Sequence, residues 1–309
     1  MKGPLFFAKI LLFGEYGIIK DSKGLSIPYN FFRGTLERAE FETDATNASH
    51  KSLSDYSHYL KTLSPDLLQL DWNRLQVDLD HKLYFDSSIP QGYGVGSSGA
   101  LVAAFYDRYS LDKISPDASL TPEKLTQLKT TFAAMESYFH GQSSGLDPLN
   151  SYLSLPLLIY SKDKIETTGL PKQNPQGKGA IFLLDTGSSG KTAPMVSLFM
   201  ENMKEEGFSK MMREEFVQMT DQCVESFLKG NIKIFFRNMK SFSALVLKYF
   251  KPMIPSDFHP LWQKGLETNT YYLKLCGSGG GGYMLGFTQD LKSAKKVLED
   301  YPLEVVYHF

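Results

Sequence analysis

The chain is predicted to be an α+β protein in two halves, on three observations. Its first third is rich in strands and ends in a glycine loop that opens a helix, Pro90-Gln91-Gly92-Tyr93-Gly94-Val95-Gly96-Ser97-Ser98-Gly99-Ala100. A stretch rich in Lys, Pro and Gly, Ser161 to Lys178, marks a boundary and puts one domain at 1–165 and a second at 175–309. Beyond it, the order strand, helices, strand pair, helix, strand is that of a ferredoxin-like half.

Residues 5–13 are apolar apart from Lys9 and read as a buried strand, which Gly14-Glu15-Tyr16-Gly17 turns into a second strand at Ile18-Ile19-Lys20. Gly24 to Pro28 reads as an edge segment and Gly34 to Phe41 as a further strand, while Ser49 to Leu60 is a polar helix or loop. Leu79, His81, Leu83 and Phe85 alternate with Asp80, Lys82 and Tyr84, so Val77 to Phe85 is expected as the strand that feeds the glycine loop. A helix then starts at Ser97 or Ser98, and a Ser/Pro/Asp connector containing Asp117 follows it.

Thr121-Pro122 opens the next helix with a capping residue and a proline at its first position. Leu125, Leu128, Phe132, Met135 and Phe139 mark its buried face, and Gly141 ends it. Gly145-Leu146-Asp147-Pro148 reads as a loop and Leu153 to Tyr160 as a strand. In the second half, Ala180 to Asp185 is a strand, helices cover 192–206, 208–229 and 231–249, and Pro252 and Pro255 precede a shorter helix at 257–267. Strands at 271–275 and 283–288 flank a second glycine loop, and a helix at 291–299 leads to a closing strand at 303–309.

Composition excludes several classes of function. The 309 residues are 42% hydrophobic and 22% charged, ordinary values for a globular protein. A net charge of −1 offers no basic surplus for nucleic acid. Two cysteines make neither a disulfide scaffold nor a four-ligand zinc site, and the six histidines are scattered without metal spacing. Lys9 interrupts the apolar N-terminal run that a signal peptide would need, and no stretch approaches the ~18 apolar residues that span a bilayer. A soluble, cytoplasmic protein is expected, with no membrane partner and a homodimer left open.

The chemistry gathers at the glycine loop. Three alternating glycines leave its backbone free to take positive φ and to lie close to a ligand. The helix start behind them offers unpaired N–H groups and the positive end of a dipole, a site suited to phosphate. A tight turn with a capped helix is the competing reading. Gly94-x-Gly96-x-x-Gly99 fits a dinucleotide fingerprint poorly, because no acidic residue stands on a second strand about twenty positions on. A Walker A loop is excluded, since no Gly-Lys-Ser/Thr follows.

Lys9 must be either paired or at an exposed strand edge, because an unpaired ammonium in an apolar strand is costly. Glu136 lies in the last turn of its helix, where the dipole disfavours an anion, so local helix stability does not account for it. A solvated face would explain Glu136, and turn chemistry would explain Asp147. The run Leu275-Cys276-Gly277-Ser278-Gly279-Gly280-Gly281-Gly282 is either a flexible turn or a second loop around a ligand. Cys276 is read as packing, since no base accompanies it. Lys191-Thr192 could approach a substrate or could simply follow a capped helix start.

Three motifs in order carry a resemblance to a known family. Pro90-x-Gly92-x-Gly94-x-Gly96-Ser97-Ser98-x-Ala100 looks like the second motif of the GHMP small-molecule kinases. Ala8-Lys9-Ile10-Leu11-Leu12-x-Gly14-Glu15 is similar to their first motif as mevalonate kinases carry it, and Leu275 to Gly282 is similar to the third. Glu136-x-x-x-His140-Gly141-x-x-Ser144-Gly145-x-Asp147 resembles a mevalonate-kinase segment closely.

The resemblance implies a two-domain GHMP kinase fold, with an N-terminal half like ribosomal protein S5 domain 2, a ferredoxin-like C-terminal half and the active site in the cleft between them. It implies ATP-dependent phosphorylation of a small alcohol, most specifically mevalonate. Gly92, Gly94, Gly96, Ser97, Ser98, Gly99, Gly279 and Gly280 would hold the nucleotide, and Ser98 and Glu136 the magnesium ion. Asp147 would be the base, and Lys9 would keep it ionised. Tyr16 stands where mevalonate kinases usually carry His, and Gly99-Ala100 where an alanine pair often follows; both resemble phosphomevalonate kinases instead. The acceptor is therefore mevalonate, phosphomevalonate or a relative, and a non-catalytic nucleotide-binding member of the fold is the reading from another class. Lys9, Lys191 and Arg33 are the basic residues that could meet an acceptor carboxylate.

Overall fold

The computed structural model describes residues 3–116, 119–161 and 164–309, so Asp117 lies outside the described residues. Strand β1 (Phe6–Phe13) leads through a 3-10 turn (Gly17–Lys20) to strand β2 (Gly24–Arg38), followed by helices α1 (Asp44–Leu60) and α2 (Trp72–Asp80). Then come β3 (Leu83–Ser87), α3 (Ser97–Tyr109), α4 (Pro122–His140), α5 (Leu146–Leu153), β4 (Leu157–Ile159) and β5 (Ile165–Thr167). The remainder is β6 (Ala180–Asp185), α6 (Thr192–Asn202), α7 (Glu206–Met211), a π-helical turn (Met212–Phe216), α8 (Val217–Leu228) and α9 (Ile232–Tyr249). It closes with α10 (His259–Thr268), β7 (Tyr272–Leu275), β8 (Tyr283–Thr288), α11 (Leu291–Val297) and β9 (Leu303–His308).

These elements form two compact units that are not contiguous in sequence. The first comprises Met1–Lys9, Ile27–Pro90 and Gly96–Leu155, the second Ile10–Ser26, Gln91–Val95 and Pro156–Phe309. In the first unit β2 pairs antiparallel with β3, from Gly34↔Ser87 to Arg38↔Leu83. Helix α3 packs against α4 and α5, and α1 lies on β3. An aromatic junction ties the three central helices together: Tyr106 of α3, Phe132 of α4 and Tyr152 of α5 meet pairwise, with ring centroids 5.0, 5.2 and 5.5 Å apart. Burying a ring such as Phe132 contributes about 1.5–3 kcal/mol, and edge contacts add to that. Beside this junction Asp78 of α2, 1% exposed, accepts hydrogen bonds from Arg38, Arg108 and Tyr109 and so joins α2 to β2 and α3.

In the second unit the sheet runs β7-β8-β6-β9, all antiparallel. Written in chain order of its four strands, that is the fourth beside the first, then the third, then the second. It is the ferredoxin-like arrangement, and the mixed α+β class holds throughout. Phe13, at the end of β1, stacks on Phe287 at 5.8 Å and meets Phe235 of α9 edge-on at 6.1 Å. Among the described residues no helix is long and apolar enough to cross a membrane.

Several local expectations change. Ile18-Ile19-Lys20 is not a strand: Tyr16 takes φ 60°, and bonds from Ile19 N–H to Tyr16 O and from Asp21 N–H to Ile18 O, each spanning three residues, coil the segment into a 3-10 turn. Gly24–Pro28 and Gly34–Phe41 are parts of one strand, β2, which ends at Arg38. Gly34 looks like a break, yet a Cβ there would sit 2.2 Å from the Phe85 ring, so the glycine makes room for a cross-strand aromatic. Val77–Phe85 is half helix. Asp71 caps Arg74 N–H, Leu75 and Asp78 turn inward at helical spacing, and strand begins only at Leu83, after Lys82 at φ 55°. Gly145-Leu146-Asp147-Pro148 is the entry to α5, where Gly145 takes φ 72° and proline is tolerated in the first turn. Helix α5 accordingly runs to Leu153, and only Leu157–Ile159 of the strand expected at 153–160 is extended.

Candidate active site

Four side chains singled out in the sequence meet in the first unit. Helix α4 begins at Thr121, whose hydroxyl accepts from Lys124 N–H, and buries Leu125, Leu128, Phe132 and Met135. Glu136 is carried inward by the same face and is 3% exposed. Its two oxygens are held separately: Ser98 Oγ donates to Oε1 at 2.9 Å and Ser143 Oγ to Oε2 at 2.5 Å. His140 Nε2 lies 2.9 Å from Ser98 Oγ. With the Ser98 proton directed to Glu136, His140 Nε2–H is the donor to Ser98, giving a chain from imidazole to hydroxyl to carboxyl.

Burial pushes the Glu136 carboxyl up, and the charge of Asp147 adds to it, while Ser143, Ser98 and Lys9 act in the other direction; the result is about 7. Burial likewise lowers His140, with Asp147 opposing and Lys9 assisting.

Asp147 stands in the first turn of α5, where the helix dipole favours an anion. Lys9 Nζ lies 3.0 Å from its Oδ1, the lysine side chain 5% exposed and the aspartate 36%. Lys9 is therefore paired and not an edge lysine. Two glycines permit this arrangement. A Cβ on Gly99 would be 2.7 Å from the Asp147 carbonyl carbon and 2.9 Å from its Cβ, so only glycine lets α3 run this close to α5. A Cβ on Gly96, at φ 82°, would be 2.9 Å from Lys9 Cγ. Gly96 is also the N-cap of α3 and no side chain caps that helix, so the first-turn N–H groups around Ser97 and Ser98 are left to other partners.

Gly92, Gly94, Gly279 and Gly280 belong to the second unit. Gly190 N–H bonds to Gly92 O at 2.8 Å, and a Cβ on Gly94 would fall 2.3 Å from Cys276 O. Gly279 and Gly280 take φ 80° and 79°, and Gly280 N–H bonds to Met253 O at 2.7 Å. Cys276 is 2% exposed, in line with a packing role. Lys191 is the exposed N-cap of α6 and makes no side-chain cap bond, so the helix start there is not a capped one. Arg33 is exposed in β2, where its backbone N–H bonds to Ser88 Oγ.

Ser143 escaped the sequence reading, and His140 entered it without a role. The spacing of Glu136 and His140, four apart on one helix, places both on one face and was the available signal. Among the described residues no three His, Cys, Asp or Glu side chains are grouped to hold a metal by themselves. Glu136 and Ser98 nonetheless form a pair of hard oxygen donors, which suits a magnesium ion that completes its shell with phosphate and water. A cation there would also offset the cost of ionising a buried carboxyl.

Residues 62–154 match the family model described as GHMP kinases N terminal domain, a segment that includes Ser98, Glu136 and Asp147. Among solved structures, the chain is similar to L. major mevalonate kinase in complex with R-mevalonate, with TM-score 0.64, 16% identity, and 96% of this chain and 91% of that one covered. It is similar also to Methanococcus jannaschii mevalonate kinase, with TM-score 0.61, 17% identity and coverage of 99% and 98%. A third likeness is to Streptococcus pneumoniae phosphomevalonate kinase in complex with phosphomevalonate and AMPPNP, with TM-score 0.59, 13% identity and coverage of 98% and 99%. No curated protein sequence matches. The chain has the GHMP kinase fold, and residues 62–154 match the N-terminal domain of that family.

Proposed function

We propose that this chain is an ATP- and magnesium-dependent kinase that phosphorylates a small alcohol, with mevalonate as the acceptor. The observation that carries the proposal is the Lys9–Asp147 ion pair at 3.0 Å, set beside the Ser98–Glu136 pair in one compact unit. The similar structures include one that holds R-mevalonate and one that holds AMPPNP, which supports the choice of substrates.

In this reading Asp147 accepts the proton of the acceptor hydroxyl as its oxygen forms a bond to the γ-phosphorus and the bond to the β–γ bridging oxygen breaks. ADP leaves with that bridging oxygen. Lys9 orients the carboxylate through Oδ1, leaving its other oxygen for the substrate. The uncapped first turn of α3 and the glycines Gly92, Gly94, Gly96 and Gly99 grip the phosphates through backbone N–H groups, and Gly279 contributes from the second loop, where the Gly280 N–H is instead bonded to Met253 O. Ser98 and Glu136 hold the magnesium ion, which supplies charge neutralisation on the phosphates when bound. Positioning and electrostatics account for most of the rate enhancement.

The role of Asp147 is tested by Asp147→Asn in an ADP-release assay with Mg-ATP and mevalonate. The expected outcome is a fall in kcat of roughly 10²- to 10⁴-fold, the usual contribution of a positioned base. Full turnover by the variant would remove Asp147 from that role. Preference for phosphomevalonate over mevalonate would move the acceptor to the reading that Tyr16 suggests and leave the reaction type intact.

A further inference from the structure

The second glycine loop raises a physical question of its own. Gly277, Gly279, Gly280, Gly281 and Gly282 all take positive φ, from 72° to 139°. A run of this kind gives up much conformational entropy when it is ordered and has almost no side chains with which to hold itself. Its shape must be imposed by what surrounds it.

Two of the anchors are side chains, and they are consecutive. Tyr16 Oη donates to Ser278 O at 2.7 Å, and Gly277 N–H donates to Glu15 Oε1 at 3.4 Å. Glu15 is fixed in turn by Lys274, the third residue of β7. Lys274 Nζ donates to Glu15 Oε1 at 2.6 Å, to Leu275 O at 2.6 Å and, more weakly, to Leu11 O at 3.4 Å. The lysine side chain is 2% exposed and that of Glu15 7%. All three ammonium protons have acceptors, so the buried lysine is fully satisfied.

Neither feature is explained by stability alone. A buried ion pair is often no more stabilising than apolar residues of the same volume, and its better-attested use is to fix one arrangement among several. Tyr16 holds φ 60°, an uncommon conformation for a bulky residue and one that persists only where the surroundings enforce it. Those surroundings are visible: its ring stacks on Phe199 with centroids 4.5 Å apart and lies 5.7 Å from Phe250. Burial, with the charge of Glu15 second, pushes the phenol well up, which keeps it protonated and a donor to the loop.

We propose that Lys274, Glu15 and Tyr16 are positioning residues that clamp the loop Cys276–Gly282 in the shape it uses to grip nucleotide phosphate. The proposal rests on the kinase reading above and assigns Tyr16 to the nucleotide side of the reaction, away from acceptor selection. Lys274 fixes the Glu15 carboxylate through Oε1, Glu15 holds the first turn of the loop at Gly277, and Tyr16 holds its third residue, Ser278.

The test uses the whole protein and AMPPNP with magnesium, titrated without acceptor, beside melting temperatures. Tyr16→Phe removes one hydroxyl and keeps the stacked ring. We expect it to weaken AMPPNP by roughly 3- to 10-fold, the size of one hydrogen bond, with the melting temperature within about 2 °C of wild type. Glu15→Gln is expected to weaken AMPPNP further, and in turnover both variants raise KM for ATP while leaving KM for the acceptor alone. Lys274→Arg should recover more binding than Lys274→Met, even if the latter folds poorly. Unchanged AMPPNP affinity in Tyr16→Phe and Glu15→Gln would overturn the clamp. A raised acceptor KM with normal AMPPNP binding would overturn it too, by placing Tyr16 on the acceptor. Failure of the wild type to bind AMPPNP would instead defeat the kinase reading beneath it.

Discussion

Glu136 is a carboxyl in a place that does little for its charge. It lies near the C-terminal end of α4, where the dipole disfavours an anion, and is buried with only two serine hydroxyls as donors. Its folded value near 7 stands above the ordinary 4.5. The native state therefore prefers the protonated form more than the unfolded chain does. The stability this group contributes is complete below about 4.5 and is lost as pH rises through about 7. In the absence of metal and nucleotide, Glu136→Gln is expected to stabilise the protein at pH 8 by up to about 3 kcal/mol and to leave it nearly unchanged at pH 4. Urea midpoints of the two proteins across that range check this, and a difference that does not grow with pH would contradict it. Glu136 was legible in the sequence because its position made no sense for the helix alone. Ser143 was not, because a serine two residues past a helix-ending glycine is ordinary turn chemistry until the fold turns it toward Glu136.

At the scale of elements, the site depends on how closely α3 runs beside α5. Gly99 sets that spacing, since any Cβ would meet the Asp147 backbone at 2.7 Å. Gly99→Ala is expected to force the helices apart, with a loss of about 1–3 kcal/mol typical of overpacking and a larger fractional loss of turnover than of folded protein. Thermal unfolding and kcat measured on the same preparation separate the two effects; wild-type values of both would show that the spacing has slack. The glycine loop and the start of α3 were readable from residue types, because glycine and serine there have few competing uses. The entry to α5 was not. Gly, Asp and Pro are turn formers, but the same residues suit the cap and first turn of a helix, and the inward-facing Leu146, Leu149 and Leu153 decide for helix. Val77–Phe85 failed for a related reason: the alternation of a short apolar run fits both periods until the cap at Asp71 is counted.

Over the whole molecule, composition and motif order were enough for the α+β class and the GHMP kinase fold, which spans nearly the full length of structures only 13–17% identical. What composition could not reveal is that β1 and β2 each begin in one compact unit and end in the other, because strand pairing between distant segments leaves no local trace. Lys274 is a similar case: a lysine before a glycine run is unremarkable until its burial against Glu15 is seen. The proposal that joins these scales is that the Lys9–Asp147 pair, the Ser98–Glu136 pair and the two glycine loops transfer phosphate from ATP to a small alcohol. The most direct measurement is a coupled ADP-release assay with Mg-ATP, run side by side on mevalonate and phosphomevalonate with wild type and Asp147→Asn. The expected result is acceptor-dependent turnover by the wild type, highest with mevalonate and lost in the variant. Binding of AMPPNP with no acceptor-dependent turnover on either alcohol would contradict the account.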